Sequence, residues 1–361
     1  MAMTQDQNPP DKSNTHHEEA SAMSISSTAA VSRARTDTET KTIGSSILGF
    51  LRRWGTILVI IAVGVFFSLM SPYFGTVSNF NNILFSMIVS ALLSMGLTYV
   101  VAAGSFDLSI GAVVTTTSII TALLIPSIGW IGATVVGLGS ACLIGAINGV
   151  LVTYGRLSGI VTTLGVMFLL GGVNTFLSGG YQIPVDYNEV AFRYLGQGRV
   201  GPIAFPVLIL LVVFSAGYIL STRSKAGHYI GAVGDNPMAA YYSGISVYKW
   251  IIASFVLCAL FSGVGGVLLT SISSSAQPVG GQGYLLEAFA AVFLGATILG
   301  KGKPHVLGTL LGVFFLYMVS SGMNMIGISF AMRQLFNGFV LLAAVGANAA
   351  LNREEIHLKF I

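Results

Sequence analysis

Charge is what this chain most conspicuously lacks. Lys, Arg, Asp and Glu make up 8% of its 361 residues, against about 25% in a soluble domain. An ordinary soluble fold is excluded. The formal net charge is +4, and the basic residues are scattered through many short polar stretches. That excludes a concentrated nucleic-acid surface. Cysteine is nearly absent: Cys142 and Cys258 lie inside apolar runs, so no disulfide framework or metal cluster is expected. Both read as small packing residues. Catalytic signatures are missing too, with neither HExxH nor GxSxG present. The stretch GATILGKG at 295–302 begins like a phosphate-binding loop. Its last position is Gly302, where a hydroxyl should hold Mg²⁺, and it ends an apolar run where a true loop follows a strand. The expectation is a chain with no catalytic residue, no cofactor and no metal.

What remains is apolar. Hydrophobic residues account for 54% of the chain, and 44 glycines suit close helix packing in lipid. Residues 1–45 are polar, with His16 and His17 read as part of a solvated, disordered tail. The tail lacks the apolar core of a cleavable signal peptide, so the first spanning helix would direct insertion. Apolar runs then follow at about 55–74, 82–103, 109–126, 129–154, 160–179, 203–221, 250–272, 285–299, 305–323 and 332–350. A span needs ~20 residues. The run at 285–299 is short and interrupted by glycine, which suggests a broken or re-entrant segment. The expected architecture is an all-α polytopic membrane protein of about ten transmembrane helices, some short or broken, filling residues 46–361. An even number of spans with both termini cytoplasmic puts every Lys and Arg except Arg193, Arg199 and Arg333 on the inner side, as the positive-inside rule asks.

The longest polar interruption is 222–250, TRSKAGHYIGAVGDNPMAAYYSGISVYKW, on the cytoplasmic side of this topology. Asn236-Pro237 starts a short helix and Gly244 ends it: Asn caps the free N–H groups, Pro tolerates the first helical position and Gly accepts a left-handed exit. The small residues Ala239, Ala240 and Ser243 leave room for a partner's close approach. Such a helix adds little to a bilayer fold, and reads as a plug for a soluble partner. Two acids lie at or near membrane depth, Asp107 in FDLSIG and Glu287 in GYLLEAF. Asp107 is read as the N-cap of the third helix and Glu287 as stabilised by its helix dipole, with a place on a transport pathway as the alternative for both. Asn148 and Asn174 are read as interhelical hydrogen-bond formers, with substrate contact as their alternative. The GxxxG patterns at Gly145/Gly149 and Gly308/Gly312 imply close helix packing, within the chain or with a second copy.

The loop at 222–247 resembles the cytoplasmic loop of the membrane subunits of ribose-type ABC sugar importers. So do SFDLSIGAV at 105–113, INGVLVTYGRLSGIVTTLG at 147–165, the block at 274–312 and the end at 320–345. The resemblance runs over nearly everything from residue 54 to 350. It implies a multi-pass permease of the bacterial inner membrane, paired with a second permease copy, identical or related. The implied partners are a cytoplasmic ATPase subunit and a periplasmic sugar-binding protein. In that family a GxN-x-AA-x-x-SGI loop docks on the ATPase; here the pattern falls on Gly234, Asn236, Ala239, Ala240, Ser243, Gly244 and Ile245. Asp235-Asn236-Pro237 stands where many members have Gly-Asn-Glu, which keeps the cap. The competing class is an ion-coupled secondary transporter using Asp107 or Glu287, with broken helices in matched positions.

Overall fold

The computed structural model describes residues 57–300 and 302–351. The polar tail at 1–45, Arg52, Arg53, Lys301 and the basic residues past 351 lie outside the described residues. The chain divides into two units, residues 1–61 and 62–361; only 57–61 of the first are described. In chain order the helices are α1 (Ile57–Met70), α2 (Val77–Ser86), α3 (Ile88–Ala102), α4 (Ile110–Thr153), α5 (Gly159–Ser178), α6 (Val190–Gln197), α7 (Phe205–Arg223), α8 (Lys225–Asp235), α9 (Pro237–Tyr242), α10 (Val247–Ser273), α11 (Tyr284–Ile298), α12 (Val306–Met325) and α13 (Phe330–Leu351). Two short antiparallel pairs join connecting segments: β1 (Ile183–Pro184) with β4 (Ser275–Ala276), and β2 (Arg199–Val200) with β3 (Ile203–Ala204).

Six described helices are long and apolar enough to cross a membrane, or seven if α2 and α3 form one span bent by 49°. The helix α4 conceals a fold-back. Its 44 residues would reach about 66 Å if straight, roughly twice the hydrocarbon core of a bilayer. Gly129 leaves helical geometry at φ 71°, ψ 166°, a conformation open to glycine and costly for other residues. The Cβ position of Gly137 lies 2.6 Å from Thr121 Oγ1. Along a straight helix those residues would be about 24 Å apart, so the halves before and after Gly129 lie side by side. This turn separates the apolar runs 109–126 and 129–154.

Breakage falls elsewhere than expected. The run at 285–299 forms one uninterrupted helix, α11, of 15 residues. The bend lies at Met87, between α2 and α3, in a stretch with neither Gly nor Pro to announce it.

Buried α3 forms the centre. Ile88, Leu92, Leu93, Leu97 and Val100 have no exposed surface, and the helix packs on α7, α8, α10, α11 and α12. Both GxxxG patterns are used within the chain. Gly145 and Gly149 bring α4 onto the backbone of α10 at Phe255 and Ile252, while Gly308 and Gly312 bring α12 onto α11 at Gly295 and Ala291. By contrast α5 and α13 turn Phe168, Leu169, Phe176, Leu335, Phe339 and Leu342 outward. That suits helices whose own hydrogen bonds are closed and whose side chains face lipid or another apolar surface.

Candidate transport pathway and coupling loop

The polar interruption after α7 folds into two helices where one was expected. Ser224 caps the unforeseen α8, its hydroxyl accepting the Gly227 N–H at 3.2 Å. Glycines at 227, 231 and 234 hide this helix from propensity, since each costs about 1 kcal/mol against Ala. Burial of Ile230 and Val233 holds it. Gly234 sits where α8 meets the end of α3: a Cβ there would lie 1.9 Å from the Ala102 carbonyl oxygen. Asp235 forms an ion pair with Lys303 at 2.8 Å, with both side chains more than half exposed, a pair worth ~0–1 kcal/mol.

The cap of α9 follows the local chemistry. Asn236 Oδ1 accepts the Ala239 N–H at 3.0 Å and Pro237 occupies the first turn. Gly244 leaves at φ 80°, with Gly244 N–H bonded to Tyr241 O and Ile245 N–H to Ala240 O, the pattern of a Schellman exit. Ser243 returns its hydroxyl to Ala239 O at 2.8 Å. One expectation is corrected: Ala240 is buried inside the chain, at 4% exposure. The inner face of α9 must cover itself against α8 and α10, so its outward surface is Met238, Ala239, Tyr241, Tyr242 and Ser243. Beside it lies a groove of about 800 Å³ walled by Tyr154, Met238, Tyr241 and Tyr248.

Asp107 is fully buried between α3 and α4. Its Oδ1 accepts the Ser109 N–H at 2.8 Å and the Ser109 hydroxyl at 2.6 Å. The N-cap of α4 is Ser109 itself, so the carboxylate holds the turn ahead of the helix and reaches none of the N–H groups inside it. Asn148 Nδ2 donates to Ser109 Oγ at 2.9 Å, tying the second half of α4 to the start of the first. Asp107 Oδ2 and Asn148 Oδ1 have no partner among the described residues. The same turn is clasped from other sides: Thr163 Oγ1 on α5 accepts the Leu108 N–H at 3.0 Å, and Phe106 stacks on Phe289 of α11 at 6.2 Å.

Asn174 donates to Ala112 O at 3.4 Å, bridging α5 and α4 as an interhelical bond should. It also lines a cleft of about 890 Å³ between α4, α5 and the approach to α11. Glu287 lies in the first turn of α11, yet its partner is on the neighbouring helix: Tyr317 OH on α12 donates to Oε2 at 2.7 Å. It borders a second cavity of about 710 Å³ that also takes in Arg333. Neither Tyr317 nor Arg333 was expected here. Tyr317 sits unmarked inside an apolar run, and Arg333 reads as a loop residue by charge alone. His305 caps α12, its Nδ1 accepting the Gly308 N–H at 3.1 Å. Burial holds its pKa below the ordinary 6.5, as an acceptor imidazole requires.

Apolar helices that fold back on one another, polar clefts between them and a capped helix at one end define a multi-pass membrane transport subunit. The chain belongs to the family described as branched-chain amino acid transport system / permease component, which matches residues 79–345. It is similar to the ribose import permease protein RbsC of Escherichia coli strain K12, 35% identical over 292 residues, covering 80% of this chain and 90% of that one. The ribose import permease protein RbsC of Bacillus subtilis strain 168 is 30% identical over 298 residues, 82% of this chain and 92% of that one. The D-allose transport system permease protein AlsC of Escherichia coli strain K12 is 28% identical over 307 residues, 84% of this chain and 94% of that one. No solved structure matches the chain.

Proposed function

We infer that the chain is the permease subunit of an ATP-driven importer for a monosaccharide of the ribose kind, in a bacterial inner membrane. Energy enters at residues 222–250 from a cytoplasmic ATPase subunit. A periplasmic binding protein delivers the sugar at the opposite end, and a second permease copy completes the pathway. The observation that carries the reading is α9. It is capped at both ends, presents Met238, Tyr241 and Tyr242 outward, and rests on α8, whose Gly234 lies against the end of α3. A push on α9 therefore has a rigid route into the most buried helix of the bundle. Support for the cargo comes from the relatives, named for ribose and D-allose; the family description, which names amino acids, is broader than they are. Ten spans with both termini and residues 222–250 inside agree with the basic residues and with the fold-back at Gly129. Nothing favours ion coupling through Asp107 or Glu287.

Two measurements test this. Energised vesicles carrying the chain with its ATPase and binding protein should accumulate labelled D-ribose or D-allose. Uptake by the chain without ATPase would overturn the reading. Single cysteines at Asn188 and Met238, in a Cys142→Ser/Cys258→Ser background, should label from outside and from inside respectively. Labelling of the Met238 position in intact cells by an impermeant reagent would overturn the topology.

A further inference from the structure

The cavity between α11, α12 and α13 has walls of a particular chemistry. It is bordered by Glu287, Tyr317, Ser320, Arg333, Gln334 and Asn337. A carboxylate only accepts hydrogen bonds and a guanidinium only donates, while amides and hydroxyls do both. Glu287 and Arg333 share the cavity but form no ion pair with each other; the pair between Asp235 and Lys303 is the one found among the described residues. The Tyr317 hydroxyl engages one Glu287 oxygen at 2.7 Å, and the other has no hydrogen bond among the described residues. Arg333 Nε is buried without a partner, and the guanidinium is oriented by Phe330, 5.7 Å from its ring centre. An acceptor and an unpaired guanidinium thus border the same cavity from different helices, and their charges cancel.

From this we propose that the cavity is a binding site for a neutral polyhydroxy ligand, a monosaccharide in the importer reading. Glu287 accepts from one hydroxyl and Arg333 donates to another. A hydroxyl is both donor and acceptor, so one ligand serves both walls. A ligand of net negative charge would meet the Glu287 carboxylate and one of net positive charge the Arg333 guanidinium, so the walls suit a ligand of no net charge. The volume, about 710 Å³, falls within the ~300–1,000 Å³ usual for small-ligand sites. Arg333, Tyr317 and Ser320 also border an adjoining polar cavity of about 300 Å³ lined by Asn79, Asn82 and Asn324. The site therefore continues towards the end of the bundle where α12 leaves and α13 enters. Its charged groups are few, so binding stays weak enough for release, as a pathway requires. The proposal rests on the importer reading for the ligand's role and for its being a sugar; the walls by themselves call for a polar ligand of no net charge.

The test uses the full chain in lipid vesicles, with Ser320→Cys in the Cys142→Ser/Cys258→Ser background and Gln182→Cys as an exposed control. The rate of reaction with a water-soluble maleimide is read with D-ribose, D-allose or inorganic phosphate present. One or both sugars should slow labelling at 320 severalfold and leave 182 unchanged, with phosphate inert. Glu287→Gln and Arg333→Gln should each abolish the protection while labelling without sugar stays as before. Should Ser320→Cys not fold, Asn337→Cys reports on the same cavity. No protection by either sugar, protection by phosphate, or no labelling at either position overturns the proposal. Sugar uptake read separately keeps the failures distinct: uptake without protection removes the site alone, and protection without uptake removes the importer reading alone.

Discussion

Two glycines three residues apart on α8 should respond to the same substitution with opposite signs. Gly234→Ala puts a methyl 1.9 Å from the Ala102 carbonyl oxygen and 2.8 Å from its carbon. Carbon and oxygen do not approach so closely, and both contact atoms are backbone, which cannot rotate away. The helix must lift off α3 by about 1 Å or more, at the ~1–3 kcal/mol typical of overpacking. Gly231→Ala meets nothing within 4 Å and sits inside the same helix, so it should gain up to ~1 kcal/mol of helix propensity. The difference between the variants is then about 1–4 kcal/mol. Thermal unfolding in detergent and the rate of proteolysis within 222–250 would report stability. ATPase stimulation in vesicles would report coupling. Gly234→Ala should nick faster and couple poorly, and Gly231→Ala should match or exceed the wild type in both. Equal behaviour of the two, or a Gly234→Ala chain with wild-type coupling, would refute the contact between α8 and α3 as the route of force.

Other substitutions address neighbouring points. Gly244→Val forces a β-branched residue into φ 80° at a cost of ~1–2 kcal/mol; it should insert normally yet lose ATPase stimulation, read by co-purification and vesicle uptake. Asp107→Asn retains an oxygen for the Ser109 N–H and should be milder than Asp107→Leu, which strands a buried N–H at ~1–3 kcal/mol. Loss of uptake in a well-expressed Asp107→Asn chain would show that the charge itself is needed. His305, held below its unfolded pKa by burial, stays neutral in the fold while the unfolded chain protonates. Its contribution is therefore whole above about pH 6.5 and lost as pH falls towards the folded value. Wild type should lose more thermal stability than His305→Asn between about pH 7.5 and about pH 5.5, and equal losses would refute the burial argument.

The membrane class, the apolar runs and the cap of α9 were legible in the residues. These rest on composition or on bonds that close within a few positions: Asn236 to Ala239, or Ile245 back to Ala240. Such bonds are written into adjacent side chains. Where distant segments must meet, adjacency says nothing. The GxxxG patterns announced close packing, but only the fold assigned Gly145 to α10 and Gly308 to α11 in place of a second copy. Ala240 looks available because it is small, and is buried in a helix that packs against both α8 and α10. Asp107 carried a capping pattern, and its clasp by Asn148 through Ser109 depends on α4 folding back at Gly129. The helix α8 was invisible for the converse reason: its glycines speak against a helix locally, and burial of Ile230 and Val233 outweighs them. Glu287, Tyr317 and Arg333 lie on three separate helices. Each alone reads as a dipole, a packing aromatic or a loop charge, and their common cavity exists only once helix packing, which no local bond encodes, has set α11, α12 and α13 side by side.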